Sequence, residues 1–398
     1  MKTFILSFIL YFITSPLSAQ FLNPSFKTWI NIESKSVLGV AKSYSGINFD
    51  HYNHILSSNF ALNFKTNEKI NLDNSFLNYK SKNKTIGFGK INRHWSFSPQ
   101  SSLFLSSNAR PANSIYFRLD KKDKLQTPIL SWMGPLTFEI FNSELENKLG
   151  PNHAKMLGTR FTFAPNQNLA FELIKITQWG GDNYSNSISN LALSIFGNTN
   201  ENEFTNINQV AGIGFSHKIN NKLFPLKYYG QLLGEDEAGG LPTCFIYLTG
   251  VELEKPIFDY SSIFGLELID TRTHLSTENN CGPNAAYNNN TYKYTNYDTV
   301  LGAPIDSQGK SIHFWSSILL SKGLSLELGV KKILVNTNSY SKHRLSSLAE
   351  NGYIKNINLS WSWDNLNIKT SLKHQSFSLD KVGIKKGLSA SIYSSINF

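Results

Sequence analysis

The chain has 398 residues, 40% hydrophobic and 13% aromatic, with two cysteines and a formal net charge of +10. Mean hydropathy is −0.25, and past the N-terminal segment no apolar run is long enough for a membrane-crossing helix. Two cysteines are too few to staple a small secreted fold, and the lysine-dominated excess comes without a basic helix or any nucleic-acid-binding signature.

The chain opens MKTFILSFILYFITSPLSAQ, with Lys2, an apolar stretch from Phe4 to Ile13 and a small-residue tail from Ser15 to Ala19. This is the pattern of a secretory signal peptide over 1–19, cut after Ala19, leaving 20–398 as a single domain. A secreted chain held in a membrane without apolar helices has one architecture open to it, a closed β-barrel.

The first strand is expected near Lys27. Between Asn92 and Asn113 the reading forks, because SSLFLSSNARPAN suits an outer loop or a segment folded into the lumen. One count then gives a strand at Ser114 to Asp120 and a single long first strand. The other splits the first strand near Ser34 and drops the later one. Either way the total is roughly 18 strands, an even number as such barrels require. Further strands are expected at Asn208–Ile219, Thr243–Glu254, Gly323–Lys331, Asn365–Lys373 and Gly387–Phe398. In the last, Leu388, Ala390, Ile392, Ser394, Ile396 and Phe398 share one face while Ser389, Ser391, Tyr393, Ser395 and Asn397 share the other. Apolar outward to lipid and polar inward to a wet lumen is the expected arrangement. A short helix is expected at Ser189–Phe196.

The connections alternate in length. Trp363–Asn365, Ser321–Gly323 and Glu254–Pro256 are tight and fall on the periplasmic side if the C-terminus does. Trp179–Ile207, Gly234–Pro242, Thr271–Gly309 and Asn336–Asn351 fall outside. The fold class is therefore an all-β, antiparallel transmembrane barrel of the outer-membrane type, with short periplasmic turns and long extracellular loops.

An ordered set of stretches then stands out: GTRF at Gly158–Phe161, QWGG at Gln178–Gly181, GEDE at Gly234–Glu237, LP at Leu241–Pro242 and DTRT at Asp270–Thr273, with YTNYDTVLGAPIDSQGK from Tyr294 to Lys310. From about Ile86 to Phe398 the chain resembles the Wzi-type capsule-assembly proteins of Gram-negative outer membranes. The resemblance implies an 18-stranded surface lectin that helps capsular polysaccharide attach to the cell, with no enzyme activity. It departs from that family in two places: there is no room for a helical bundle ahead of the barrel, and the stretch at Gly89 reads GKINRHWSFSPQ rather than rich in Trp and Gly.

Glu235, Asp236 and Glu237 sit at a strand end among glycines, and Asp270 with Arg272 at the end of the next strand running the same way. The two groups are expected to meet at the outer rim. They fit a carboxylate–guanidinium network joined by Arg160 and Gln178, or acceptors for sugar hydroxyls. Adjacent carboxylates raise a glycosidase reading as well, but that chemistry needs a defined separation and a raised pKa, so no catalytic residue is assigned. Trp179 suits a sugar-stacking platform and equally an interfacial girdle. Tyr287, Tyr292, Tyr294 and Tyr297 lie in an Asn-rich loop suited to glycans. Cys244 and Cys281 meet an oxidising compartment, where they pair or stay free. The histidines lack metal-like spacing, and no metal or cofactor is expected. The expected partners are capsular or extracellular polysaccharide, outer-membrane lipid and the barrel-assembly machinery, reached through the C-terminal strand. A monomer is expected, with a porin-like diffusion channel as the alternative function.

Overall fold

The computed structural model describes residues 24–33, 38, 45–52, 55–64, 70–187, 189, 192, 207–238, 241–273 and 281–397. The signal segment, Phe398 and nearly all of the expected helix at Ser189–Phe196 lie outside these residues. In chain order the strands are β1 (Pro24–Glu33), β2 (Ser45–Tyr52), β3 (Leu56–Phe64), β4 (Phe76–Ser81), β5 (Lys84–Lys90), β6 (Asn113–Lys121), β7 (Leu136–Glu144), β8 (Lys155–Asn166), β9 (Leu169–Trp179) and β10 (Ile207–Ile219). They continue with β11 (Leu226–Ala238), β12 (Leu241–Glu254), β13 (Ser262–Asp270), the miniature pair β14 (Thr295–Asn296) and β15 (Thr299–Val300), β16 (Lys310–Ser321), β17 (Leu324–Val335), β18 (Glu350–Trp363), β19 (Leu366–Gln375) and β20 (Gly387–Asn397).

All but β14 and β15 form one 18-stranded antiparallel sheet in which each strand pairs with its neighbours in the chain. β1 also pairs with β20, Ile32 opposite Ile392, so the sheet closes on itself and has no free edge. Both strands that the sequence left as alternatives are present: the first strand divides into β1 and β2, and β6 forms as well. At Gly234–Pro242, an outer connection expected to be shorter than Thr271–Gly309 and Asn336–Asn351, β11 and β12 run on and stay paired as far as Ala238 opposite Leu241.

The alternation decides which side of the wall each residue meets. In β20, Leu388, Ile392 and Ile396 stand exposed on the outer wall, while Ser389 and Ser395 are buried in the lumen. β18 presents Ile357, Leu359, Trp361 and Trp363 outward in the same way. This inverts a soluble protein's rule and is stable only where the outer wall meets lipid. The turns at the end where β1 begins and β20 stops are mostly short. At Lys322–Gly323 the chain reverses with φ +87° at Gly323, where a Cβ would strike the Ser362 carbonyl.

The lumen is filled. Residues 91–112 leave β5 and fold into the barrel, where they bond to strands a third of the ring apart. On one side Arg93 Nε donates to Glu139 Oε1 of β7 at 2.8 Å. On the other Ser98 Oγ donates to Glu267 of β13. Gln231 of β11 bridges the segment, its Nε2 donating to the Trp95 carbonyl at 2.6 Å and its Oε1 accepting from the Leu103 amide at 2.9 Å. Trp95, Leu103, Phe104 and Leu105 pack there against wall residues such as Phe141, Ile176 and Leu233, forming an apolar core inside the barrel. The stretch from Gly89 to Gln100 thus supplies the anchors of this inward segment.

Candidate functional site

The outer end of this core is capped by the loop from Thr271 to Gly309, and most of the loop's aromatic residues serve that cap. Tyr287 and Tyr294 are fully buried. Their hydroxyls donate to the Leu103 and Phe104 carbonyls at 2.7 and 3.0 Å. Burial pushes both phenols far above their ordinary pKa. Tyr292 is 1% exposed and donates to the Gly180 carbonyl at 3.0 Å. The expectation that these three rings face a glycan is corrected: the loop folds inward, and the hydroxyls of Tyr287 and Tyr294 close backbone hydrogen bonds of the inward segment while that of Tyr292 closes one at the end of β9.

Tyr297 is different. It sits with Asp298 between β14 and β15, with Thr295 opposite Val300 and Asn296 opposite Thr299. Both turn residues have positive φ, +50° and +57°. A two-residue turn of this kind normally takes Asn-Gly, and a bulky residue there stores backbone strain. The hairpin is held by the 145–150 loop. Asn147 Nδ2 donates to the Thr295 carbonyl at 2.7 Å, and the Tyr297 amide donates to the Glu146 carbonyl at 2.6 Å. Asp298 Oδ1 accepts from the Lys148 and Leu149 amides at 2.7 and 3.1 Å.

The Tyr297 phenol is half-buried and surrounded by charge. Its hydroxyl donates to Glu146 Oε1 at 2.6 Å and accepts from Lys90 Nζ at 3.2 Å. Arg110 stacks on the ring, its guanidinium carbon 4.1 Å from the centroid, while its fork holds Asp73 at 2.6 and 3.0 Å. Burial, then the bond to Glu146, raises the phenol well above its ordinary pKa, so it stays a neutral donor. Beside it opens a cleft of about 740 Å³ whose walls include Glu146, Lys148, Asn152, Asp182, Tyr297 and Asp298. Carboxylates, amides, an ammonium and an aromatic edge converge on one open space. That set offers hydrogen-bond donors and acceptors suited to a hydroxyl-rich ligand, and it lacks the predominantly apolar lining of a small-molecule pocket.

The other expected site residues are dispersed. Trp179 ends β9 and shares by alternation the outward side of Leu173, yet it is 5% exposed, so it is neither an open platform nor an exposed girdle. Glu235 Oε1 accepts from the Tyr287 amide at 2.6 Å. The side chains of Asp236 and Glu237 lie outside the described residues. Asp270 is held by Arg272 Nη2 at 2.8 Å and by Lys310 Nζ at 3.1 Å, and that pairing raises the Arg272 pKa. Arg160 is corrected as a rim residue. It sits five residues inside β8, roughly 17 Å from the outer end at strand rise, and pairs with the fully buried Glu172 at 2.6 Å. Gln178 is at the rim, donating to the Lys293 carbonyl at 3.0 Å and accepting from Asn208 at 2.9 Å. Cys244 and Cys281 are bonded, with Cα atoms 5.2 Å apart, tying the capping loop to β12.

Sequence reasoning missed Glu146, Lys148, Asn152, Asp182 and Asp298. No local signal marks them, because Tyr-Asp is not one of the residue pairs that announce a two-residue hairpin turn.

A model of the family described as capsule assembly protein Wzi matches residues 30–376. An uncharacterized 55.8 kDa protein from the cps region of Klebsiella pneumoniae is 31% identical over 212 residues, 52% of this chain and 42% of that one. The chain thus spans less than half of that relative. Among solved structures, Wzi of Escherichia coli, described as a carbohydrate-binding β-barrel involved in group 1 capsule assembly, aligns with a TM-score of 0.78 at 23% identity, covering 98% of this chain and 88% of that one. OprD of Pseudomonas aeruginosa aligns with a TM-score of 0.51 at 9% identity, over 94% and 92% of the two chains. At these identities the likeness is one of fold. The family match is of sequence and covers most of the chain, which belongs to the capsule assembly protein Wzi family.

Proposed function

We propose that this protein is a lectin of the Gram-negative outer membrane that binds capsular or extracellular polysaccharide and helps to attach it to the cell surface, without catalysis. The observation that carries this is the cleft beside Tyr297, where a strained hairpin holds a neutral phenol among carboxylates, amides and Lys148. Strain of this kind persists only where the surroundings over-determine it, and it clusters at ligand-binding positions. The related Escherichia coli barrel, described as carbohydrate-binding, supports the same reading. Cleavage after Ala19, a monomeric state, contact with outer-membrane lipid and delivery by the barrel-assembly machinery belong to this proposal.

A diffusion channel fits less well, because residues 91–112 occupy the lumen and are bonded to the wall at both β7 and β13. The test is deletion of the gene together with binding by the purified protein. Cells lacking it should make polymer at the normal rate and shed it into the medium, and the purified barrel should retain polymer without shortening it. Cell-bound capsule at wild-type level in the deletion strain would overturn the reading.

A further inference from the structure

The outer wall carries a second feature, unrelated to the cleft. Across β17 to β20, Val330, Lys355, His374 and Leu388 stand side by side in register. The next row toward the turn end is Leu328, Ile357, Leu372 and Ala390. One step the other way, Lys332 stands beside Tyr353. Alternation turns all of these outward, with Leu328, Val330, Ile357, Leu372 and Leu388 between 38% and 59% exposed. A groove of about 280 Å³ runs between them, lined by the apolar side chains with Lys355 and His374 at its loop-end margin.

Two features call for an anion here. A charge on the lipid face is costly toward the bilayer midplane and tolerable only near the interface. Basic side chains directly opposite each other across a strand pair repel once both are charged. Lys355 and His374 are such a pair, and no carboxylate is paired with either of them, or with Lys332, among the described residues. An anion above the groove removes the repulsion, and an apolar tail fits below it.

We propose that this groove binds a phosphorylated, acylated glycolipid of the outer leaflet, its phosphate seated between Lys355 and His374 and reached by Lys332, and an acyl chain lying along Leu328, Ile357, Leu372 and Leu388. The phosphate makes charge-assisted hydrogen bonds, and the chain covers apolar surface that the flat wall leaves uneven. This places a lipid contact on one sector of the barrel and leaves the polysaccharide cleft free.

The experiment uses the full-length protein purified in detergent and reads bound lipid by native mass spectrometry. The probes are lipid A with both phosphates, lipid A with none, and phosphatidylglycerol. Wild type should bind the bis-phosphorylated form at least fivefold better than either other probe. The K355Q/H374Q variant should lose that preference at least fivefold while keeping heat-modifiable migration and polymer binding, since neither residue touches the cleft. If that variant does not assemble, Leu388→Trp, which fills the groove, should produce the same loss. Wild-type binding that ignores the phosphates, equal binding of phosphatidylglycerol, or undiminished binding by the variants would each overturn the proposal. Failure of the wild-type protein to bind polymer, with its lipid preference intact, would count against the lectin reading instead.

Discussion

Tyr287 and Tyr294 are stacked, with ring centroids 5.6 Å apart and planes 15° apart, and both donate to carbonyls of the segment that fills the barrel. The pair couples an outer loop to an inner plug. Tyr287→Phe keeps the stack but removes the bond to Leu103 and the one accepted from the Ala303 amide. A buried carbonyl left without its donor costs about 1–3 kcal/mol. The expected outcome is a lower unfolding temperature in detergent with unchanged secondary structure by circular dichroism. An unchanged transition would mean that water replaces the hydroxyl.

The plug itself rests on Arg93 and Glu139, which are almost wholly buried. Removing one partner of a buried pair is expected to cost about 3–5 kcal/mol, because the other charge stays in place uncompensated. Arg93→Ala should therefore destabilise strongly, and excising residues 94–108 should convert a silent barrel into one with large, steady openings in planar bilayers. Conductance of that size from the intact protein would contradict a filled lumen.

At the cleft, backbone and ring are separable. Asn tolerates the left-handed region that Tyr297 occupies. Tyr297→Asn should keep the hairpin, cost about 1–2 kcal/mol of stability for the lost bond to Glu146 and the Arg110 stack, and lower polymer affinity at least tenfold. Equal affinity for wild type and variant on a polymer-coated sensor would remove Tyr297 from the site.

The disulfide closes a separation of 37 residues. On the chain-entropy account such a closure contributes about 3–4 kcal/mol. Reductant, or Cys281→Ser, should lower the unfolding temperature and speed proteolysis of the capping loop, read by fragment mass. No change in either would show that the buried tyrosines alone fix the loop.

Asp380 offers a pH handle outside the membrane. The Ser347 hydroxyl and amide donate to its carboxylate at 2.5 and 3.1 Å, which lowers its pKa to about 2 from an ordinary 3.8. Because the folded value is depressed, the link between the 336–349 and 376–386 loops is fully present above about pH 4 and fades as pH falls through about 2. Protection of the Ser347 amide, its exchange rate relative to the unprotected rate at the same pH, should hold at pH 4 and fall only near pH 2. Protection lost already at pH 4 would show that the carboxylate titrates normally.

The wall was legible because one physical rule writes it: Leu388, Ile392 and Ile396 alternate with serines only if lipid lies on one side and a polar lumen on the other. The site was far less so. Tyr287, Tyr294 and Tyr297 look alike in sequence, and what separates them is whether Leu103, Phe104 or Glu146 stands opposite, contacts that span between 151 and 190 residues. Arg160 was misplaced because its motif, GTRF, fixes a neighbourhood but not a height in the wall.

The pairing of Ile32 with Ile392 joins residues 360 positions apart. Bringing such distant ends together costs roughly 5 kcal/mol of chain entropy before any bond repays it. This seam has by far the greatest sequence separation of any strand contact in the ring, and it is the slowest kind to find by chance. Until it zips, the nascent sheet has two sticky margins in search of a partner, so the seam is where a misassembled copy would recruit a neighbour.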